Sequence, residues 1–265
     1  MQFMTTLSPS DGLAVSVVSH GHGPLLHAML HGMARWCAGS VTRVVLTLNI
    51  PEPSPPPPPG RTDWPFALDI RRNARPLGFG ANHNMALSGA VEPFVGVLNP
   101  DVAFLDADPF ERLLQAASEP GIGCAYPEQV DLCGKPQDSE RELPTPGALW
   151  RRRILRRPDR RTDWVNAAFL VFPAAAWKGV GGFDERYFMY CEDVDLCLRL
   201  RLKGWRLARV PVRVGHVGQR ASRRRMAHLG WHVRSLLRLW ASPVYHQARS
   251  LLRADTAEAR RIGAP

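Results

Sequence analysis

The sequence predicts an α/β fold: a mostly parallel sheet with helices on both faces. Short β-branched runs alternate with segments of helical apolar spacing, which is the βαβ signature. Every strand-like run up to residue 102 ends in polar or glycine-rich sequence: "SHGHG", "LNIPE", "RRNARPLGFG" and "LNPDV". The chain has 265 residues and is 45% hydrophobic, enough to bury a large core. Ligands of such sheets sit at the carboxyl ends of strands, so a site is expected there.

The elements follow in order. "LAVSVVS" (13–19) is a buried strand stopped by Gly21 and Gly23. "PLLHAMLHGMARWC" has helical spacing through Leu25, Leu26, Met29, Leu30, Met33 and Trp36. "VTRVVLTLNI" (41–50) is a second strand. "PEPSPPPPPGRTDWP" cannot join a ladder or a helix, so it is a polyproline-like excursion before strand sequence resumes at "FALDIRR". A helix fits "GANHNMALSGA" and a strand fits "PFVGVLN" (93–99). "DADPFERLLQAAS" opens with acids, as a helix N-terminus favours, and "GIGCAYP" is the next strand. Residues 129–163 are polar, proline-rich and basic without clear periodicity, which predicts a mobile loop region over the site. Order returns with strands at "WVNAAFLVFP" (164–173) and "WRLARVPVRVGHVG". In the tail, Met226, Leu229, Val233, Leu236 and Trp240 make one helical stripe. That basic amphipathic helix either lies on a membrane surface or caps the core.

Charge narrows the partners. The net charge is +10, with seven arginines in "RRRILRRPDRR" (151–161) and ten more from Arg220 onward. This suits anionic partners: nucleic acid, an anionic membrane face or phosphorylated substrates. No apolar run approaches the roughly 20 residues that cross a bilayer. The N-terminus has no basic n-region and no long h-region, so no signal peptide is read. Five cysteines without a CxxC pair predict a reducing compartment.

Four stretches can carry chemistry. In "LNPDV", Asn99 and Asp101 are separated by one residue at a strand end and can point the same way. Such an oxygen pair suits Mg²⁺ or Mn²⁺ with phosphate ligands, although Asn-Pro-Asp is also ordinary turn chemistry. In "NARPLGFGANHN", Gly78 and Gly80 let backbone approach a ligand, and a helix N-terminus follows. His83 occupies the third position of GxGxxG, which argues against a dinucleotide-binding domain, and a plain loop-to-helix turn is the alternative. In "FDERYFMYCEDVDLCLRLRLKGW", Glu192 and Asp193 fall in a first helical turn, where the dipole stabilises a carboxylate that can act as a general base. Asp195 and Arg199 are i and i+4 and form a structural pair. His216, between Gly215 and Gly218, is either a neutral metal ligand or a loop histidine.

Taken in order, "NARPLGFGANHN", "LNPDV", "WVNAAFLVFPAAAWKGVGGFDERYFMYCEDVDLCLRLRLKGW" and "HVGQRAS" resemble family 2 glycosyltransferases of the GT-A fold, in their rhamnosyltransferase-like branch. The resemblance runs from about Val15 to Ser222. It implies a GT-A domain over 1–219, with a nucleotide-sugar half at about 13–127 and an acceptor half at about 128–219, and a basic helical tail at 220–265. It implies that Asp101, with Asn99, meets the metal and the donor diphosphate, and that His216 completes the metal site. Asn73, Gly78, Gly80 and Asn84 match the nucleotide segment. "CED" matches the family's Glu-Asp motif, making Asp193 the base and Glu192 an acceptor-holding residue. Two positions depart from the pattern. The second strand ends "TLNIPE", with Leu48 where an acid is usual and Asn49 or Glu52 as its substitute. Asn166 stands where glycine is common.

The implied activity is metal-dependent inverting transfer of a sugar from a nucleotide diphosphate sugar, with dTDP-rhamnose the donor that family likeness suggests. The implied acceptor is a saccharide or a polyprenyl-linked glycan of surface polysaccharide synthesis. The implied location is cytoplasmic, peripheral on the inner membrane face, where arginines 151–161 and the tail meet an acceptor phosphate or the leaflet. One base without a second carboxylate nucleophile implies inversion. A nucleic-acid-binding protein and a non-catalytic glycan binder are the rival readings. The first lacks a recognisable binding module, so no nucleic acid is expected. The second is opposed by Asp101, Asp193 and His216.

Overall fold

The computed structural model describes residues 12–261 apart from 106, 132, 158, 160 and 218–225. The first β-branched run forms the strand β1 (Leu13–Ser19), and its side chains alternate between two apolar clusters. Leu13, Val15 and Val17 enter one cluster and Ala14 the other. This is the period of two expected for a strand buried on both faces.

Beside β1 lie β2 (Arg43–Leu48) and β4 (Phe94–Leu98), and β3 (Ala67–Arg72) lies beyond β2. The other strands are β5 (Val102–Phe104), β6 (Ile122–Val130), β9 (Phe169–Pro173) and β10 (Arg206–His216), and the sheet runs β3-β2-β1-β4-β9-β6-β10-β5. Pairs β2–β3, β1–β2, β1–β4 and β6–β10 are parallel. Strand β9 is antiparallel to both β4 and β6, and β5 is antiparallel to β10. The sheet is thus mainly parallel, as expected, with β9 the reversed strand at its middle. The strand expected over 164–173 divides: β8 (Trp164–Val165) leaves the large sheet to pair with β7 (Glu140–Arg141).

Helices cover both faces. One cluster holds α1 (Pro24–Trp36), through Leu26, Met29, Leu30 and Met33, and α3 (Pro109–Ala117), through Phe110 and Leu113. The other holds α2 (Phe79–Leu87), α5 (Ala174–Val180) and α6 (Glu192–Leu202). Residues 51–66 form no strand or helix, and Trp64 from this excursion stacks on Phe66 and packs at a tilt against His31 of α1.

Two segments differ from expectation. The region 129–163 contains a helix, α4 (Pro146–Arg153), besides β7. Its cap explains it: Oγ1 of Thr145 accepts from Ala148 N at 3.0 Å and Pro146 opens the first turn, so it starts without an apolar stripe. The tail holds two helices, α7 (Met226–Ala241) and α8 (Pro243–Arg261). Ser242 separates them and its Oγ accepts from Tyr245 N at 3.1 Å. Leu239, Tyr245, Ala248 and Leu252 join the same cluster as α6, so the tail caps the core. Leu229 and Val233 of the expected stripe face outward instead, with Leu237. The expected boundary at 219 and 220, and residues 218–222 of "HVGQRAS", lie outside the described residues. Among the described residues, no helix is long and apolar enough to cross a membrane.

Candidate active site

The carboxyl end of the sheet is built on side-chain amides. Asn49, just past β2, grips Leu77 twice, accepting from its N–H at 2.9 Å and donating to its carbonyl at 3.0 Å. Asn73 Nδ2 donates to Asn49 Oδ1 at 2.8 Å and to Asn82 Oδ1 at 2.7 Å. Asn82 in turn donates to Gly78 O at 3.0 Å. This network holds the loop between β3 and α2. Glu52 accepts from Gly21 N at 3.2 Å, while Leu48 is buried.

Gly78 and Gly80 do permit a close approach, but what approaches is protein. A Cβ on Gly78 would stand 2.7 Å from Phe188 O, and one on Gly80 would stand 2.6 Å from Phe183 Cβ. Asn84 belongs to the same contact, donating to Phe183 O at 2.8 Å and accepting from Phe183 N at 2.8 Å. These residues dock α2 onto the 183–188 segment that leads into α6. His83 is a core residue: its Nδ1 meets Ser16 Oγ at 2.8 Å and burial lowers its imidazole to about 3.

Asp101 and His216 come together, Oδ1 to Nε2 at 3.5 Å. The antiparallel register of β5 and β10 sets His216 opposite Val102, one residue from Asp101. Gln137 orients the ring, with Oε1 at 3.1 Å from Nδ1 and Nε2 donating to His216 O at 2.6 Å. The contact of Nδ1 with Gln137 leaves Nε2 as the ring nitrogen that faces Asp101. Asn99 anchors the preceding turn, its N–H donating to Ala168 O at 2.8 Å. His22, past the end of β1, is held below its usual range by burial, against the opposing pull of Asp101 and Glu52. Among the described residues no group of three or more His, Cys, Asp or Glu gathers as a metal site. One carboxylate oxygen and one imidazole nitrogen nevertheless fit a hard divalent cation that takes its remaining ligands from phosphate and water.

The Glu-Asp pair starts α6. Tyr190 and Cys191, just before it, both have left-handed backbones at φ 72° and 66°. Two consecutive non-glycine residues in that region store strain next to the site. Tyr190 is tied from outside, its hydroxyl 2.9 Å from His228 Nδ1 of α7. Glu192 is buried, and its Oε2 has no hydrogen-bond partner among the described residues. Burial, then the neighbouring Asp193 charge, raises its carboxyl well above the usual range. Burial also raises Asp193, to about 6, while Val194 N donates to its Oδ1 at 2.8 Å and Arg141 favours its charge. Burial thus disfavours ionisation of both carboxyls, while the Val194 N–H and the Arg141 charge favour the ionised form at Asp193. Asp195 pairs with Arg199, Oδ2 to Nε at 2.6 Å, the expected structural i, i+4 pair.

Glu192 and Asp193 face a cavity of about 440 Å³ walled also by Arg141, Arg152, Trp164, Asn166, Tyr190 and His232. Asn166 is set by a reciprocal amide pair with Gln129, at 2.6 and 3.1 Å. Sequence reasoning missed Gln137, Arg141, Arg152 and His232 as site residues. The seven arginines of 151–161 marked the Arg152 region only by composition, and no local pattern marked the other three.

No family model matches the chain. The N-acetylglucosaminyl-diphospho-decaprenol L-rhamnosyltransferase of Mycobacterium tuberculosis is 30% identical over 257 residues, 85% of this chain and 83% of that protein. The rhamnosyltransferase WbbL of Escherichia coli is 39% identical over 87 residues, 31% of this chain and 32% of that one. Among solved structures, the mannosyltransferase PcManGT of Pyrobaculum calidifontis, in complex with GDP-Man and Mn²⁺, aligns with a TM-score of 0.57 at 17% identity, over 97% of this chain and 84% of that one. S. aureus TarS aligns with a TM-score of 0.54 at 15% identity, over 78% of this chain and 37% of that one.

Proposed function

This chain belongs to the rhamnosyltransferase-like family 2 glycosyltransferases of the GT-A fold, and from that premise we propose that it moves rhamnose from dTDP-rhamnose to a lipid-linked saccharide. The M. tuberculosis relative's name supplies the class of both substrates: an L-rhamnosyl donor and a sugar on a polyprenyl diphosphate. The observation that carries the reading is the placement of two adjacent carboxyls, Glu192 and Asp193, at the start of α6 on the wall of a cavity large enough for a saccharide.

In this reading Asp193 accepts the proton of an acceptor hydroxyl as its oxygen attacks the anomeric carbon of the donor. The bond from that carbon to the diphosphate oxygen breaks, and the nucleoside diphosphate leaves on the opposite face, giving inversion. Glu192 donates a hydrogen bond to the acceptor sugar and keeps the attacking hydroxyl at Asp193. Asp101 and His216, with Asn99, would hold Mg²⁺ or Mn²⁺; when bound, it offsets the charge that builds on the leaving diphosphate. Asn49 and Asn73 shape the loop against which the nucleotide lies, and Gly78, Gly80 and Asn84 fix α2 beneath it.

The apolar side chains Leu229, Val233 and Leu237 of α7 are exposed, and Arg234 lies among them. Such a face suits the inner leaflet of the cytoplasmic membrane, where a polyprenyl acceptor resides. Hydrolysis across a panel of nucleotide sugars, with and without Mn²⁺, tests the donor assignment. Metal-dependent turnover of dTDP-rhamnose above the other donors is expected, and preference for another sugar would overturn it.

A further inference from the structure

We propose that Arg156 and Arg157 form a subsite for the diphosphate of the lipid-linked acceptor, beside the pocket that holds Asp193. This rests on the acceptor class proposed above. A second cavity of about 650 Å³ adjoins the first: Arg152 and Asp159 line both. Arg156, Arg157 and Arg161 line the second cavity alone, with the acids Asp138 and Glu140.

The ion pairing leaves a surplus of positive charge there. Arg152 pairs with Asp138 and with Asp159, the latter at 3.6 Å. Glu140 pairs with Arg209 at 3.4 Å, and Arg161 pairs with Asp163 at 2.9 Å. Each acid of the cavity already has a cation. Among the described residues neither Arg156 nor Arg157 has a carboxylate partner, and both are exposed. Arg156 is also held at φ 50°, a left-handed conformation unfavourable to a side chain. Two unneutralised guanidinium groups in a concave site suit a diphosphate, which takes paired N–H donors.

The surroundings favour the lipid-borne diphosphate over that of the nucleotide. Trp150, Ile154 and Leu155, on the same short segment, are 57%, 65% and 40% exposed. Apolar side chains beside unpaired arginines match a ligand whose diphosphate joins a sugar to a hydrocarbon chain. The shared wall lets the sugar reach Asp193 while the diphosphate stays with the arginines. The donor diphosphate is assigned instead to the cation that Asp101 and His216, 3.5 Å apart, would hold.

The test compares wild type, Arg156→Ala/Arg157→Ala and Arg156→Lys/Arg157→Lys in steady-state transfer. Two acceptors are used: a short-chain prenyl-diphosphate saccharide and an uncharged alkyl glycoside of the same sugar. The alanine pair is expected to raise KM for the diphosphate acceptor about 30-fold or more, at about tenfold per 1.4 kcal/mol of lost contact. KM for the glycoside, KM for the donor and donor hydrolysis without acceptor should stay unchanged, and the lysine pair, which keeps the charge without the paired donors, should recover part of the loss. Equal loss with both acceptors, a raised donor KM or no change at all would overturn the subsite. So would weaker binding to phosphatidylglycerol vesicles with the acceptor KM intact, which would assign the arginines to headgroups. If wild type hydrolyses donor yet uses neither acceptor, the acceptor class itself is wrong, a failure read in the wild-type control alone.

Discussion

Asp193→Asn should make the protein more stable and nearly inactive at once. The asparagine has the same shape, and its Oδ1 can still accept from Val194 N. What it loses is a carboxyl raised by burial from the usual 3.8 to about 6. Between those values the folded chain keeps a proton that the unfolded chain has released, so stability falls as pH rises through that window. Above it the deficit amounts to at most about 3 kcal/mol. The variant removes the deficit and relieves Glu192 of a neighbouring charge. At 2–4 °C per kcal/mol for a chain of this size, Tm at pH 7.5 should rise by up to roughly 6–12 °C. At pH 4 most of the gain should be gone, because the folded carboxyl is then protonated and little more than half of the unfolded one is ionised. Transfer should fall about 10²–10⁴-fold, the usual worth of a general base. Thermal melts at the two pH values, with initial rates on the same preparations, make the comparison. Transfer within threefold of wild type, or an equal Tm change at both pH values, would refute the reasoning.

Other perturbations separate the parts of the site. Asp101→Ala and His216→Ala should each weaken Mn²⁺-dependent binding of the nucleoside diphosphate at least tenfold in calorimetric titration, leaving the melting temperature nearly unchanged. Asp195→Ala leaves the half-buried Arg199 guanidinium without its carboxylate and should cost about 1–3 kcal/mol in urea unfolding. Gly78→Ala drives a methyl group against Phe188 O and should cost about 1–3 kcal/mol, with a loss of transfer that follows displacement of α6. The wild-type rate should fall as pH drops through about 6, because Asp193 must be ionised to accept a proton.

Much of this was legible in the sequence because the relevant forces are local. The β-branched runs at 13–19 and 41–50 became strands, and Asp195–Arg199 became an ion pair, because both follow from spacing along one element. Residue types singled out Asp101 and His216 separately, and only the family resemblance put them in one metal site. Their meeting depends on the antiparallel pairing of β5 with β10 across more than a hundred residues, which no spacing encodes. Gly78 and Gly80 advertised a close approach without saying what approaches, and the answer was Phe183 and Phe188. Helix α4 was hidden because arginines fill the positions where an apolar stripe would show, although Thr145 and Pro146 carry its cap. The left-handed pair Tyr190 and Cys191 had no sequence signal, since neither residue is one that favours that backbone.

The central claim is transfer from dTDP-rhamnose to a saccharide on a lipid diphosphate with Asp193 as base. It is tested most directly by incubating the protein with that donor, Mn²⁺ and a prenyl-diphosphate N-acetylglucosamine, then reading the product by mass and by the NMR coupling of its anomeric carbon. The expected product is an acceptor heavier by one rhamnose, with an anomeric configuration opposite to the donor's, formed by wild type and not by Asp193→Asn. An unchanged acceptor with every nucleotide sugar, or a product that retains the donor's configuration, would contradict it.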